Sequence, residues 1–64
     1  MDKKKTSSFV GAADIVAHAE TAARHLKRLS IACSEGDKGA ARQALRQAIS
    51  ELEVARALLR TGIE

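Results

Sequence analysis

Few residues of this chain have the chemistry of a reactive site: His18, His25, Asp14, Cys33 and a line of arginines. His18 and His25 stand seven residues apart, two turns along one helical face. That is too far for the i,i+4 pair that chelates a metal from a single helix. Asp14 and His18 do have that spacing, but two donors make a thin site, and no metal is expected. Both imidazoles are expected at the edge of a helix seam, near a subunit interface, where their charge would make association sensitive to pH. Cys33 reads as a small apolar group in a core position at the end of a helix, without a basic neighbour on its turn to favour the thiolate. There is no glycine-rich phosphate loop, no nucleophile beside a base and no carboxylate pair with a pocket. The sequence therefore predicts no enzyme, no catalytic residue and no cofactor.

The arginines Arg42, Arg46, Arg56 and Arg60 follow Lys38 down one side of a helix, relieved only by Ile49 and Glu53. Such a line most simply keeps a surface solvated. It also suits an acidic protein partner or phosphates. Nucleic acid is the weaker expectation, because aromatic platforms for unpaired bases are missing and Glu53 interrupts the track.

The elements that must carry these residues are helices. The 64 residues include no proline and one aromatic, Phe9, against 45% hydrophobic residues rich in alanine. That composition favours helix over strand, and the fold class expected is all-α. Residues 1–7 read as a flexible basic tail containing Lys3, Lys4 and Lys5, followed by a hairpin over 8–64. Ser7 and Ser8 offer hydroxyl caps for a first helix over about 8–34, and Gly11 weakens its first turn, with a slip of the boundary to Ala12 as the alternative. The turn falls at 35–37, where Gly36 suits a left-handed helix end and Asp37 caps the second helix. That helix runs over about 38–61, with Gly62 just past its end and Ile63 folding back. A turn this short makes the helices antiparallel.

In steps of four and three the second helix gives Ala41, Leu45, Ala48, Leu52, Ala55 and Leu59, a heptad seam alternating small and large. The first helix gives Ile15, Ala19, Ala22, Leu26, Leu29 and Cys33. The register expected sets Cys33 against Ala41, Leu29 against Leu45 and Ile15 against Leu59. Second apolar lines run beside both seams, Phe9, Ala12, Val16 and Ala23 on one helix and Ala40, Ala44, Val54 and Leu58 on the other. A polar line of Asp14, His18, Thr21, His25 and Arg28 lies on the other flank, and Glu20 and Arg24 have the spacing of a favourable ion pair.

The apolar arc is wider than one neighbouring helix covers, and a chain of this length has little core of its own. The expectation is a homodimer forming a four-helix bundle with two-fold symmetry, with Phe9, Val16, Ala23, Ala44, Val54 and Leu58 as contacts to itself or to a partner. The alanine and leucine layers resemble the core of Rop-type helical hairpin dimers. In that family the dimer binds paired RNA loops, so the resemblance implies a dimeric bundle and an RNA-facing surface.

The function expected is a small non-catalytic regulator, an adaptor or antagonist of a larger protein, like the stand-alone regulators of compact genomes such as phages. The alternatives are an RNA- or DNA-binding dimer using the arginine face, and a secretion-type chaperone holding an amphipathic helix. The net charge of +3 and pI near 9.5 permit an acidic partner without requiring one. A single cysteine gives no internal disulfide, and a cytoplasmic location is expected. Lys3 to Lys5, the stretch Phe9 to Ala17 and Ala17-His18-Ala19 imitate a signal peptide, but Asp14 interrupts the apolar part. No stretch approaches the ~20 apolar residues of a membrane span.

Overall fold

A computed structural model describes the backbone of residues 9–63 and the side chains of residues 9–60. The chain is a hairpin of two α-helices, α1 (Ala12–Ser34) and α2 (Lys38–Ile63), packed against each other, with no strand among the described residues. The basic tail of residues 1–7 and the capping serines Ser7 and Ser8 lie outside the described residues.

Helix α1 begins at Ala12, not near residue 8. The cause is Gly11, whose φ of 86° is left-handed and cannot continue a helix backwards. Phe9 to Gly11 form a turn instead, in which the Ala12 N–H donates to the Phe9 carbonyl at 3.0 Å. The Gly11 carbonyl then accepts the Ile15 N–H at 3.0 Å, the first bond of the helix.

At the other end, the local chemistry of the turn does what its residues predict. Gly36 takes a φ of 74°, and the Asp37 N–H reaches back to the Ala32 carbonyl at 2.9 Å while the Gly36 N–H reaches Cys33 at 3.1 Å. These two bonds are the Schellman closure, which satisfies carbonyls a helix end would otherwise leave unpaired. Asp37 serves the next helix as well: its Oδ1 accepts the Ala40 N–H at 3.0 Å and its carbonyl accepts Ala41 at 3.0 Å. One residue thus ends one helix and starts the other. Helix α2 continues through Gly62 to Ile63, beyond the stop expected near Thr61.

The seam between the helices differs in phase from the Ala/Leu heptad read in the sequence. Its buried residues are Ala22 and Ala32 on α1 and Ala41, Ala44, Ala48 and Ala55 on α2, all of them alanine. Ile15, His18, His25 and Leu29 on α1 and Glu51 and Leu58 on α2 are half-buried. Each helix therefore meets the other along a three-four line, Ile15, His18, Ala22, His25, Leu29 and Ala32 against Ala41, Ala44, Ala48, Glu51, Ala55 and Leu58. Half of the expected seam holds, and at every second position the neighbouring residue takes its place. Ala19, Leu26 and Cys33 stay exposed, and so do Leu45, Leu52 and Leu59. The pairings of Cys33 with Ala41 and Leu29 with Leu45 fall with them, and Ala32 is the α1 residue buried beside the turn.

Small side chains explain the choice. Alanine at the contact lets the two axes approach, so backbone packs on backbone, with the leucines left flanking the line. The result is a slab only 9 Å thick between Cα positions, one helix layer.

Two substitutions test the turn. Asp37→Ala is expected to cost about 1 kcal/mol through the lost cap, with Asp37→Asn near neutral. Gly36→Ala should cost about 1 to 2 kcal/mol, because its Cβ enters the left-handed region. Urea unfolding followed by circular dichroism at fixed protein concentration measures both.

Candidate functional site

The two broad faces of the slab differ in chemistry. Arg28 of α1 and Ala40, Gln43, Ala44 and Gln47 of α2 line one shallow depression, which identifies the face they share. Cys33 and Lys38 meet at the turn on the opposite face. Stepping by sevens from Cys33 and Lys38 gives Leu26, Ala19 and Ala12 on α1 and Leu45, Leu52 and Leu59 on α2. These residues, with Val16, Ala23 and Ile49 beside them, form one continuous apolar face. Its large side chains are 42% to 54% exposed: Leu59 42%, Leu45 43%, Leu26 44%, Ile49 46%, Leu52 47% and Val16 54%.

This leucine face is the candidate site. On each helix its centre stands roughly a quarter turn from the direction of the hairpin partner, the angle at which a four-helix bundle places a second neighbour. Arg42 and Arg56 stand on either side of Ile49 at the outer margin of the face.

Of the contacts expected from the sequence, Val16 and Ala23 lie on the leucine face and Phe9 is exposed just before α1. Ala44 and Leu58 are not on a free surface: Ala44 is buried in the seam and Leu58 half-buried there, because they replace Leu45 and Leu59 at alternate positions of the expected seam. Val54 is exposed on the same side as Ala40 and Gln47, away from the leucines. Cys33, read as a core thiol, is exposed.

The histidines lie in the seam itself, further in than the edge expected for them. His18 Nδ1 stands 2.7 Å from Glu51 Oε1, a hydrogen bond between the helices and an ion pair when the imidazole is protonated. His25 Nδ1 is buried and has no hydrogen-bond partner among the described residues. An unpaired buried nitrogen opposes folding, whereas the His18 bond fixes which turn of α1 meets which turn of α2. Sequence spacing could not reveal the pair, since its members are 33 residues apart and meet only in the observed phase. Among the described residues, no three His, Cys, Asp or Glu side chains gather as a metal site would require. Nearby, Arg24 donates to the Thr21 hydroxyl at 3.2 Å, and that hydroxyl donates to the Ala17 carbonyl at 3.1 Å.

The arginine line divides in two. Arg42 and Arg46 share a shallow depression with Gly39, Gln43 and Gln47, while Arg56 and Arg60 flank another with Glu53 and Ala57. The first group joins guanidinium and amide groups in one place. No described helix is long and apolar enough to cross a membrane.

The seam yields a test of its polar residues. His25→Leu is expected to stabilise the fold by about 1 kcal/mol, by removing the orphaned nitrogen at similar volume. Glu51→Ala should destabilise it by a similar amount, about 1 kcal/mol, as the bond to His18 is lost. Thermal melts of both variants at matched concentration decide; a loss of stability in His25→Leu would show that the imidazole has a partner.

Compared with family models, with curated proteins and with solved structures, the chain matches none of them.

Proposed function

We propose that this protein is a small non-catalytic regulator that closes its leucine face against a second copy of itself, as a four-helix bundle, and binds a larger protein through the surfaces left outside. The observation that carries this reading is the single layer: every buried side chain among the described residues is alanine, and Leu26, Leu45, Leu52 and Leu59 lie together on one open face. A stable domain needs two packed layers around a core, and a like hairpin supplies the second. With that face closed, the surface left over is the polar face and the arginine margins. Arg42 and Arg46 near the turn would steer an acidic protein surface to the bundle.

A second reading, RNA or DNA binding, draws on the depression where Gln43 and Gln47 join Arg42 and Arg46. Guanidinium and amide groups together serve phosphate oxygens and base edges. It stands behind the first because aromatic platforms are absent from the described face and Glu53 breaks the arginine line.

Sedimentation equilibrium at micromolar concentration tests the dimer: twice the 6.8 kDa chain mass is expected. Leu52→Glu should abolish association and most helical signal together. A cooperatively melting wild-type monomer would end the proposal. Titration with duplex RNA and DNA at rising salt separates the two readings, since phosphate contacts give an affinity that falls steeply with salt. Absence of binding at low salt removes the second. Capture of partners from the native host, compared with an Arg42→Glu/Arg46→Glu variant, tests the protein-binding surface, and equal recovery by both forms would remove these arginines from it.

A further inference from the structure

We infer that the second copy lies on the leucine face with its turn at the opposite end of the bundle, so that α1 crosses α1 of the second copy and α2 crosses its α2. The inference rests on the dimer reading above and adds its arrangement.

The face is large enough for a second copy. From Ala12 to Cys33 it runs about 33 Å, and two helices give it a width of about 20 Å, so each copy covers on the order of 660 Å², near the ~800 Å² per partner of a specific interface. Only two two-fold axes lay one flat hairpin face on another. An axis along the helices puts both turns at the same end, with α1 on α2 of the second copy. An axis across the helices puts the turns at opposite ends. Every neighbour is antiparallel in both, so helix dipoles do not choose between them.

The charges bordering the face do choose. On α1 the border carries Glu20 and then Lys27; on α2 it carries Arg46 and then Glu53, while Arg42 and Arg56, nearer the leucines, meet uncharged levels in both arrangements. The turn sets Ala32 level with Ala41, and counting equally along both helices sets Lys27 level with Arg46 and Glu20 level with Glu53. An axis along the helices keeps levels unchanged. Glu20 then meets Glu53 of the second copy and Lys27 meets its Arg46, like charges on both margins.

An axis across the helices exchanges levels about its own position. Placed midway between Glu20 and Lys27, it pairs Glu20 with Lys27 of the second copy. The same placement pairs Arg46 with Glu53 of the second copy on the other margin, because these residues share levels with the first two. One axis thus makes both margins complementary. It also brings Ala19 to within two residues of the level of Leu26 of the second copy, small beside large, as close packing prefers. Like charges set directly opposite suppress the alternative.

Cross-linking of the full chain distinguishes the arrangements. The axis across the helices brings Ala12 to within two residues, about 3 Å along the helix, of the level of Cys33 of the second copy, so Ala12→Cys should give a covalent dimer on mild oxidation. The control Ala12→Cys/Cys33→Ser should give none. In the other arrangement those two positions lie about 30 Å apart and Ala12 comes within two residues of the level of Leu59 of the second copy. Cross-linking of Ala12→Cys/Leu59→Cys/Cys33→Ser, with none in Ala12→Cys, would therefore overturn the inference while leaving the dimer intact.

Charge reversal gives an independent sign. Glu20→Lys should weaken association roughly three- to tenfold, through its two symmetric contacts with Lys27, and adding Lys27→Glu should restore it. Tighter association of Glu20→Lys would point to Glu53 as its neighbour and overturn the arrangement. A wild-type monomer at micromolar concentration would instead remove the dimer reading on which the inference rests.

Discussion

Two helices in a single layer can hide only the strip each shows the other, and everything in this structure follows from how narrow that strip is. Alanine fills it, from Ala22 and Ala32 on one side to Ala41, Ala44, Ala48 and Ala55 on the other. Close approach of the axes maximises contact between backbones, but alanine carries little apolar area to remove from water. Of the residues that carry more, Ile15, Leu29 and Leu58 are only half-buried along it, and Leu26, Leu45, Leu52 and Leu59 stand outside it. Close packing inside the hairpin and an open leucine face outside it are thus two results of one placement of small and large side chains.

The turn makes that placement repeatable. A helix end closed by Gly36 and a helix start capped by Asp37 fix where α1 stops and α2 begins, so the two helices cannot slide by a turn without breaking both sets of bonds. His18 and Glu51 add a long-range constraint of the same kind, since their bond forms only at one pairing of turns. Apolar side chains alone specify register weakly; a polar pair in the seam penalises every other register by leaving its members unpaired. His25 Nδ1 has no such partner among the described residues, so the seam carries polar atoms at unequal cost.

The helices, the turn and the width of the apolar arc were legible in the sequence, because each depends on neighbours within a few residues. Gly36 and Asp37 acted by local backbone chemistry, and the three-four spacing of apolar residues marked the apolar side of both helices. The phase of the seam was not legible. Choosing the most apolar line picks Leu26 over His25 and Leu52 over Glu51, and that line marks the middle of the arc, not the direction of the nearest helix. Nothing local tells the two directions apart, since the difference depends on how many neighbours a helix has. The start of α1 follows the glycine and not the serines: hydroxyls at Ser7 and Ser8 offer a cap, but the left-handed Gly11 sets the boundary at Ala12, the alternative its weak first turn allows.

The misread phase is itself informative. A helix with one neighbour should turn the centre of its apolar arc toward that neighbour, because any other rotation leaves apolar area in water. Here both helices turn the edge of the arc inward, accept His18, His25 and Glu51 into the contact, and hold Leu26, Leu45, Leu52 and Leu59 to one side. A helix with two neighbours at a right angle behaves in this way, since its arc must point between them. The rotation is the same on α1 and α2, toward the same face of the slab, which a local accident on one helix would not produce. The rotation of both helices is what the proposed bundle requires, with His18, His25 and Glu51 at the inner contact and Leu26, Leu45, Leu52 and Leu59 turned together to one face.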